Sequence, residues 1–296
     1  MVEYNTIILG AGISGISCAI YLKRAGIKTL VIEKSAPGGQ LNKIDTIENY
    51  PGYVSVGGFE LASNLMEQMD RYDVDIICDD VLKIDYDKKV VYLKERYYSY
   101  QNLVFATGRR ERMLGLENEE SLIGKGLSFC ATCDGTLYRE QDVVVVGGAN
   151  SAVSEAIYLS NICRKVYLIY RKENLRAEDI LQKRLKECSN VEIIYRSNVS
   201  KYLISDGKVC GVKLSNDCEI KASCVFLAIG HLPNSELFIG DKDNGYIVVD
   251  TNCKTSINNV YACGDVIKKE IYQLVTASSD GTVVAMSIIH NNEMSN

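Results

Sequence analysis

Uninterrupted apolar runs that lead into glycine-rich turns dominate the hydrophobic pattern of this chain. The run TIIL at residues 6–9 enters the turn GAGISG at residues 10–15, and apolar positions at helical spacing predict a helix over residues 14–24. Gly26 ends that helix, and the run KTLVIE at residues 28–33 closes on Glu33. Strand, glycine turn, helix and second strand together predict a βαβ unit with a right-handed crossover.

The same pattern returns in the middle of the chain. Four consecutive valines at residues 143–146 predict a central parallel strand covered on both faces. The turn GGANSA at residues 147–152 follows, then a predicted helix over 153–159 and a strand over 165–170. Each unit is followed by a strand that closes on Ala-x-Gly, at residues 102–108 and 224–230. The repetition predicts a duplicated nucleotide-binding fold, with the second copy inserted into the first.

The last part of the chain is too short to form a core of its own. Strands are predicted at residues 247–249 and 259–262, and a helix from about Thr276 to His290. A piece of roughly 60 residues would be marginal alone, so we place it on the first domain. The predicted domains are residues 1–113 with 235–296, and residues 114–234. The chain would cross between them near residues 114–115 and 232–234.

Composition and charge are those of an ordinary globular protein. The 296 residues are 47% hydrophobic and 24% charged, with a net charge of -5 and a pI of about 5.3. This balance predicts neither nucleic acid nor an anionic membrane as a partner. The strand pattern begins too early for a secretory signal, and no apolar run is long enough to cross a bilayer. We therefore expect a cytoplasmic protein.

Two of the eleven cysteines have the spacing of a redox pair. Cys130 and Cys133 lie in the motif CATCDG, close enough in sequence to form a disulfide. For this pair to be reactive, one of the two cysteines must become a thiolate. Asp134 could donate a proton to the exchanging sulfur or accept one from it, or it could be a turn residue in Asp-Gly. Other cysteines have apolar neighbours, which predicts small buried side chains: Cys18, Cys163, Cys224 and Cys263. With two histidines and no second CxxC, no metal site is predicted.

The glycines of the first turn have separate tasks in binding a dinucleotide. Gly10 allows a tight turn, Gly12 lets the backbone approach a pyrophosphate, and Gly15 allows close packing of helix on strand. Free N–H groups at the helix start would face the phosphates. Glu33 ends the next strand, where a carboxylate accepts hydrogen bonds from ribose hydroxyls. A dinucleotide site is therefore predicted here.

The second turn departs from this pattern. Ala149 stands where the glycine that approaches phosphate is expected, and its methyl group would displace or tilt a pyrophosphate. The next strand ends without a carboxylate and is followed by Arg171, Lys172 and Arg176. Cations there suit the 2′-phosphate of NADPH better than a bare ribose. The alternative is a solvated basic helix start without a ligand.

On these motifs the chain resembles the low-molecular-weight, bacterial-type thioredoxin reductases over essentially its whole length. The matching motifs include CATCDG at residues 130–135, ENYPG at 48–52, ATG at 106–108 and GDV at 264–266. The resemblance implies an α/β fold of two Rossmann-like dinucleotide-binding domains, the second inserted into the first. It also implies a homodimer that binds FAD and NADPH and reduces thioredoxin, with an inserted domain that swings about its two connectors.

The resemblance further assigns residues to the dithiol and to both cofactors. Cys133 would face the flavin, and Cys130 would attack the disulfide of thioredoxin. The residues that would contact FAD are Gly10, Gly12, Ile13, Ser14, Gly15, Glu33, Lys34, Gly39, Gln40, Leu41, Asn49, Ala106, Thr107, Gly108, Gly264, Asp265, Gln273 and Leu274. Those that would contact NADPH are Gly147, Asn150, Ser151, Arg171, Lys172 and Arg176.

Four positions depart from the family pattern and leave the electron donor open. Ala149, Tyr170 and Lys172 lie in the predicted nucleotide site, and Tyr272 stands where an arginine is usual. The leading hypothesis passes electrons from NADPH through FAD and the dithiol to thioredoxin. One alternative is a ferredoxin-dependent flavin thioredoxin reductase with a degenerate nucleotide site. A more distant one is a flavoprotein redox sensor whose dithiol closes for signalling.

Overall fold

The computed structural model describes residues 2–44 and 46–295, which form an α/β structure. Its strands are β1 (Val2–Leu9), β2 (Thr29–Glu33), β3 (Asp75–Cys78), β4 (Lys83–Asp85), β5 (Val90–Tyr92), β6 (Tyr97–Phe105), β7 (Arg109–Glu111), β8 (Leu127–Ser128), β9 (Asp142–Val146), β10 (Lys165–Tyr170), β11 (Val191–Tyr195), β12 (Val199–Ser205), β13 (Lys208–Leu214), β14 (Glu219–Lys221), β15 (Cys224–Leu227), β16 (His231–Pro233), β17 (Lys242–Asp243), β18 (Tyr246–Ile247) and β19 (Val260–Ala262). Its α-helices are α1 (Ile13–Arg24), α2 (Gly58–Arg71), α3 (Ala131–Asp134), α4 (Asn150–Ser160), α5 (Asp179–Glu187) and α6 (Leu274–Ser295).

The chain divides into two compact units. The first comprises Met1–Arg110 and Leu232–Asn296, and the second is Glu111–His231. The short strands β7 and β16 pair with each other where the chain passes from one unit to the other. The two unit boundaries, after Arg110 and after His231, each lie three residues before the predicted domain boundaries, which follow residues 113 and 234. Within residues 2–44 and 46–295, no helix is long and apolar enough to cross a membrane.

The first unit is built on a sheet with the strand order β3-β2-β1-β6-β5-β4, and β19 also pairs with β6. Strands β3, β2, β1, β6 and β19 are parallel, and β5 and β4 are antiparallel to their neighbours. The C-terminal segment therefore completes the first sheet. Helix α6 packs closely on α1 because Gly281 has no side chain: a Cβ there would lie 2.1 Å from the carbonyl oxygen of Ser14.

The second unit is built on a five-stranded parallel sheet with the order β11-β10-β9-β15-β8. The valines of the central strand β9 are buried, and they alternate between two apolar clusters, one on each face. Helices α4 and α5 contribute to one cluster, and the antiparallel sheet β12-β13-β14 contributes to the other. A strand covered on both faces explains why this run has no polar residue.

Glu119 holds the start of the second unit. Its side chain is buried, and it accepts hydrogen bonds from the backbone N–H groups of Leu114 (3.0 Å), Gly115 (2.7 Å) and Leu116 (3.3 Å). The hydroxyl of Tyr202 on β12 donates to the same carboxylate at 2.5 Å. The loop at residues 114–116, where the sequence predicts a crossing, is therefore bonded to groups of the second unit.

Element ends differ from the predicted ones for local reasons. Helix α4 begins three residues earlier than predicted, because the Asn150 side chain fixes its first turn: it donates to the Glu178 carboxylate and accepts from the backbone N–H of Glu178. Helix α6 begins at Leu274, where the Thr276 hydroxyl accepts from the N–H of Gln273 in the manner of a capping box. The strand predicted over residues 247–249 is wrong in part: only Tyr246–Ile247 is a strand.

Candidate active site

The first glycine turn lies between the end of β1 and the start of α1. Gly10 has φ +107°, which favours glycine, and a Cβ there would lie 2.4 Å from the carbonyl oxygen of Ala106. A Cβ at Gly15 would lie 2.0 Å from the carbonyl oxygen of Gly10, so the helix needs glycine to pack this closely. Gly12 differs, because nothing lies within 4 Å of the Cβ position. The open space lies at the helix N-terminus, where a pyrophosphate would bind.

Glu33 ends β2 beside this turn. One carboxylate oxygen accepts from the N–H of Ala11 at 2.7 Å, and the other accepts from the N–H of Ser35 at 2.9 Å. Each oxygen keeps a lone pair, so ribose hydroxyls could still donate to it. Lys34, which was predicted to contact the cofactor, pairs on the surface with Asp80 at 2.8 Å.

Other predicted FAD residues converge on the same edge of the first unit. The N–H of Gly38 donates to the carbonyl of Ala11 at 2.7 Å, which brings the 3₁₀ turn Gly39–Lys43 against the glycine turn. Asn49 donates to the side chain of Gln273 at 3.3 Å. The predicted residues on the segments that meet here are Ile13, Ser14, Gly39, Gln40, Leu41, Asn49, Ala106, Thr107, Gly108, Gly264, Asp265, Gln273 and Leu274.

Asp265 lies in a group of charges that sequence reasoning missed. Its carboxylate is 3.2 Å from Arg109 Nε and 3.5 Å from Lys269 Nζ, and Lys269 also pairs with Asp280 at 2.7 Å. The Arg109 guanidinium lies 4.4 Å from the ring centre of Tyr272. Arg109 thus supplies positive charge beside the position where an arginine is usual. Asp265 Oδ1 is buried and faces Lys269 Nζ at 3.5 Å, but it accepts no hydrogen bond, so it keeps the capacity to accept one from a ligand.

The second glycine turn has the same backbone form as the first. Gly147 has φ +148°, and a Cβ there would lie 2.4 Å from the carbonyl oxygen of Ala228. Ala149 is the N-cap of α4 in an extended conformation that alanine readily adopts. The N–H of Arg176 donates to the carbonyl of Gly148 at 2.7 Å, which fixes the basic segment beside the turn.

The strand registers allow the two turns to be compared residue by residue. The last residue of the first strand pairs with the penultimate residue of the second strand in both units, namely Leu9 with Ile32 and Val146 with Ile169. Tyr170 therefore stands where Glu33 stands in the first unit. Its ring lies directly against Gly148, since a Cβ there would come within 2.3 Å of a ring carbon. The second turn thus has a buried aromatic ring where the first has a carboxylate.

Exposed cations follow Tyr170. Arg171, Lys172 and Arg176 are exposed, and none of their side chains forms an ion pair within the described part of the chain. Asn150, in contrast, is engaged by Glu178, with distances of 2.8 and 2.9 Å. The cations are therefore available to neutralise a phosphate, whereas the Asn150 side chain is already bonded.

Cys130 and Cys133 form a disulfide on the short helix α3. Cys130 is the N-cap of this helix, and its sulfur accepts from the N–H of Cys133 at 3.2 Å, with the Thr132 hydroxyl 3.4 Å away. Donors at a helix N-terminus stabilise a thiolate. In this disulfide form Cys130 is therefore the sulfur that these donors face.

Asp134 ends the same helix, and its side chain is bonded to a residue before the dithiol turn. The hydroxyl of Ser128 donates to its carboxylate at 2.6 Å and also accepts from the N–H of Cys130 at 3.1 Å. Asp134 is thus bonded through Ser128 to the start of the dithiol turn. Nothing in the sequence distinguishes Ser128 from other serines, so it was missed.

Glu155 on α4 is a second acid that the sequence did not reveal, and α4 packs against α3. Burial raises the pKa of Glu155 from its ordinary value near 4.5 to about 7, and Oε2 has no hydrogen-bond partner. A raised folded-state pKa gives stability that is present below pH 4.5 and lost as pH rises through 7. Glu155→Gln should therefore be more stable than wild type at pH 8 by about 1–3 kcal/mol.

Urea unfolding of both proteins at pH 4.5 and pH 8 measures this effect. Glu187→Gln, an exposed acid on α5, is the matched control and should leave the difference between the two pH values unchanged. The same difference between pH values in wild type and Glu155→Gln would contradict the assignment.

The remaining cysteines fall into two groups. Cys18, Cys163, Cys224 and Cys263 are buried as predicted, and so is Cys253. Burial raises the pKa of Cys163 to about 11 and that of Cys224 to about 12, so these thiols stay protonated. The other free cysteines are not buried. Cys188 is half-buried, and the exposed ones are Cys78, Cys210 and Cys218.

Comparisons with known proteins agree with this geometry. Residues 4–281 match the family model described as pyridine nucleotide-disulphide oxidoreductase. A thioredoxin reductase from Mycoplasma genitalium is 38% identical over 299 residues, covering 97% of this chain and 95% of the relative. The crystal structure of Lactococcus lactis thioredoxin reductase aligns with a TM-score of 0.79 and 31% identity, covering 97% of this chain and 98% of that one.

The chain belongs to the pyridine nucleotide-disulphide oxidoreductase family and is an oxidoreductase. Within that family it belongs to the low-molecular-weight thioredoxin reductases, which confirms the resemblance and the predicted fold class. A ferredoxin-flavin thioredoxin reductase from Clostridium acetobutylicum aligns less well, with a TM-score of 0.56 and 28% identity over 99% of both chains. The main hypothesis is therefore favoured over the ferredoxin-dependent alternative.

Proposed function

We propose that the chain is an NADPH-dependent thioredoxin reductase that binds FAD in the first unit, Met1–Arg110 with Leu232–Asn296, and NADPH in the second unit, Glu111–His231. The observation that carries the proposal is the Cys130–Cys133 disulfide in the unit that also holds the second glycine turn. When bound, FAD would supply the chemistry that converts hydride transfer into reduction of a disulfide. Thioredoxin is the proposed substrate, and the chain is proposed to act as a cytoplasmic homodimer.

Three features of the first unit support FAD as its cofactor. Gly12 leaves open space at the start of α1, so that the backbone can approach a pyrophosphate. Glu33 retains acceptor capacity for ribose hydroxyls. The buried oxygen of Asp265 accepts no hydrogen bond from the protein, and a hydroxyl of the cofactor could donate to it.

The second unit favours NADPH over NADH for an electrostatic reason. A carboxylate at the position of Tyr170 would repel a 2′-phosphate, and the aromatic ring present there does not. The exposed cations Arg171, Lys172 and Arg176 can neutralise the phosphate. The backbone of the turn at Gly147 and the start of α4 at Ser151 would face the pyrophosphate.

The dithiol would transfer electrons by exchange with a disulfide. The Cys130 thiolate would attack one sulfur of thioredoxin to form a mixed disulfide, which Cys133 would then resolve. The donors to Cys130 support this order, because they stabilise its anion. Asp134 would supply the proton that the leaving thiolate of thioredoxin needs.

Parallel measurements with three electron donors test the proposal. The holoenzyme is mixed anaerobically with NADPH, NADH or reduced ferredoxin while the flavin absorbance is followed, and thioredoxin reduction is then measured with each donor. NADPH should bleach the flavin at least about ten-fold faster than NADH, because a charge-assisted hydrogen bond contributes about 1.5–3 kcal/mol. A flavin that only ferredoxin bleaches would overturn the donor, and absence of thioredoxin reduction with every donor would overturn the function.

Arg171→Ala should lower kcat/KM for NADPH by about ten-fold and leave that for NADH unchanged. The guanidinium is exposed and has no ion-pair partner among the described residues, so its loss should not disturb the fold. Arg196→Ala is the matched control, since Arg196 is an exposed arginine nearby that pairs with Glu173 at 2.6 Å. Equal losses with both nucleotides would show that Arg171 does not read the 2′-phosphate.

The proposed cytoplasmic location rests on the free cysteines. Exposed thiols such as Cys78, Cys210 and Cys218 persist in a reducing compartment.

Size-exclusion chromatography with light scattering tests the proposed homodimer, and a monomer at micromolar concentration would contradict it.

A further inference from the structure

Ser128 connects both ends of the dithiol turn through one hydroxyl group. It ends β8 and is 4% exposed. The N–H of Cys130 donates to its Oγ at 3.1 Å, and Oγ donates to Asp134 Oδ2 at 2.6 Å. The carbonyl of Cys130 lies 3.5 Å away. Because a hydroxyl has one hydrogen, the short bond to a carboxylate takes it.

We propose that Ser128 is a positioning residue that holds Asp134 in place for proton transfer during dithiol exchange. The proposal rests on the proposed function, because it assigns Asp134 to the reaction of Cys130 with a disulfide. Helix α3 has only four residues, and a helix this short has little stability of its own. Without Ser128 the Asp134 carboxylate would lose its side-chain donor and could turn toward solvent.

The proton and electron balance gives Asp134 a defined place. In the reduced protein Cys130 is a thiolate, Cys133 carries one proton, and Ser128 donates to the Asp134 carboxylate. Attack of Cys130 on the substrate disulfide forms a mixed disulfide and releases the first substrate thiolate, which takes a proton from water. Asp134 then accepts the proton of Cys133 as Cys133 attacks the Cys130 sulfur, and passes it to the second substrate thiolate. Two electrons and one proton leave the protein, water supplies the other proton, and Asp134 is again the carboxylate that Ser128 holds in this disulfide form.

Other titratable groups surround Asp134. Tyr138 and Cys224 interact with it electrostatically, and burial raises the pKa of Tyr138 and that of Cys224, the latter to about 12, so both stay protonated near neutrality. Glu155 lies on α4, which packs on α3, and its pKa is raised to about 7. Glu155 would therefore contribute to a pH profile, and the test is also run with Glu155→Gln.

The experiment compares Ser128→Ala, Ser128→Thr, Asp134→Asn and the double variant Ser128→Ala/Asp134→Asn with wild type. Each holoenzyme is reduced with dithiothreitol and freed of it, and two rates are measured from pH 5 to 9. One is oxidation of the dithiol by thioredoxin. The other is alkylation of Cys130 by iodoacetamide, followed by mass spectrometry of its peptide. Urea unfolding reports any loss of stability.

Ser128→Ala should slow oxidation by thioredoxin about ten-fold and shift the midpoint of both pH profiles by roughly one pH unit, because the carboxylate loses its donor. Ser128→Thr keeps the hydroxyl and should stay within about three-fold of wild type. In the Asp134→Asn background, Ser128→Ala should add less than about two-fold, because Ser128 acts through Asp134. If Ser128→Ala does not fold, the experiment uses Ser128→Gly, which also removes the hydroxyl.

The proposal would be overturned if Ser128→Ala slowed oxidation by thioredoxin equally in the wild-type and Asp134→Asn backgrounds. It would also be overturned if Ser128→Ala left both pH profiles unchanged. The alkylation assay needs neither NADPH nor thioredoxin. A wild type that never reduces thioredoxin but whose alkylation profile depends on Ser128 would therefore overturn the function and retain the role of Ser128 beside the dithiol.

Discussion

Cys130→Ser should abolish thioredoxin reduction, by at least about a thousand-fold, and leave reduction of the flavin by NADPH at its wild-type rate. A serine hydroxyl cannot form the mixed disulfide, and the sulfur that accepts from the N–H of Cys133 is lost. The nucleotide turn is built from other residues, so the first half of the reaction should continue. Stopped-flow flavin absorbance and a steady-state thioredoxin assay measure the two halves separately.

Cys210→Ser is the matched control for this variant. Cys210 is an exposed free cysteine in the same unit, and it should be replaceable without effect on either half-reaction. Thioredoxin turnover by Cys130→Ser within ten-fold of wild type would show that electrons leave the protein by a route other than the Cys130–Cys133 pair.

Gly12→Ala should weaken FAD binding by at least about ten-fold without unfolding the protein. Gly12 has φ -76° and ψ 175°, which alanine can adopt, and no protein atom lies within 4 Å of its Cβ position. The methyl group would occupy the space through which a pyrophosphate approaches the backbone. Ten-fold corresponds to about 1.4 kcal/mol, and the contacts of a blocked phosphate can exceed that. The flavin content of the purified protein and fluorescence titration of the apoprotein with FAD measure the effect.

Two further glycine variants separate binding from folding. Gly10→Ala should destabilise the apoprotein itself, because its Cβ would lie 2.4 Å from a backbone oxygen. Gly26→Asn, after the end of α1, should change neither property, since asparagine tolerates a φ of +75° and the Cβ position is open. Normal FAD content in Gly12→Ala would rule out this turn as the pyrophosphate site.

Features that depend on neighbouring residues were predictable from the sequence. The turn at residues 10–15, the helix after it and the strand that ends at Glu33 were found because hydrophobic period and glycine spacing act within about twenty residues. The dithiol was found for the same reason, since Cys130 and Cys133 are three positions apart. The insertion of one unit into the other followed from repetition of a local pattern.

Contacts between distant positions were not predictable from one sequence. The pairing of Arg109 with Asp265 joins residues 156 positions apart, and that of Glu119 with the Tyr202 hydroxyl joins residues 83 apart. Neither pair carries a local signal, because an arginine or a glutamate is usually a solvated surface charge. The correspondence of Tyr170 with Glu33 needed the strand registers, which set equivalent positions of the two units side by side.

The pairing of β19 with β6 has a consequence for biosynthesis. The ribosome completes residues 111–231 before it makes Val260–Ala262 and α6, although the sheet that these later segments join was begun at the N-terminus. The inserted unit can therefore fold before the first unit has received its last strand. A C-terminal truncation before β19 should leave a folded, protease-resistant fragment near residues 111–231 flanked by an unfolded remainder.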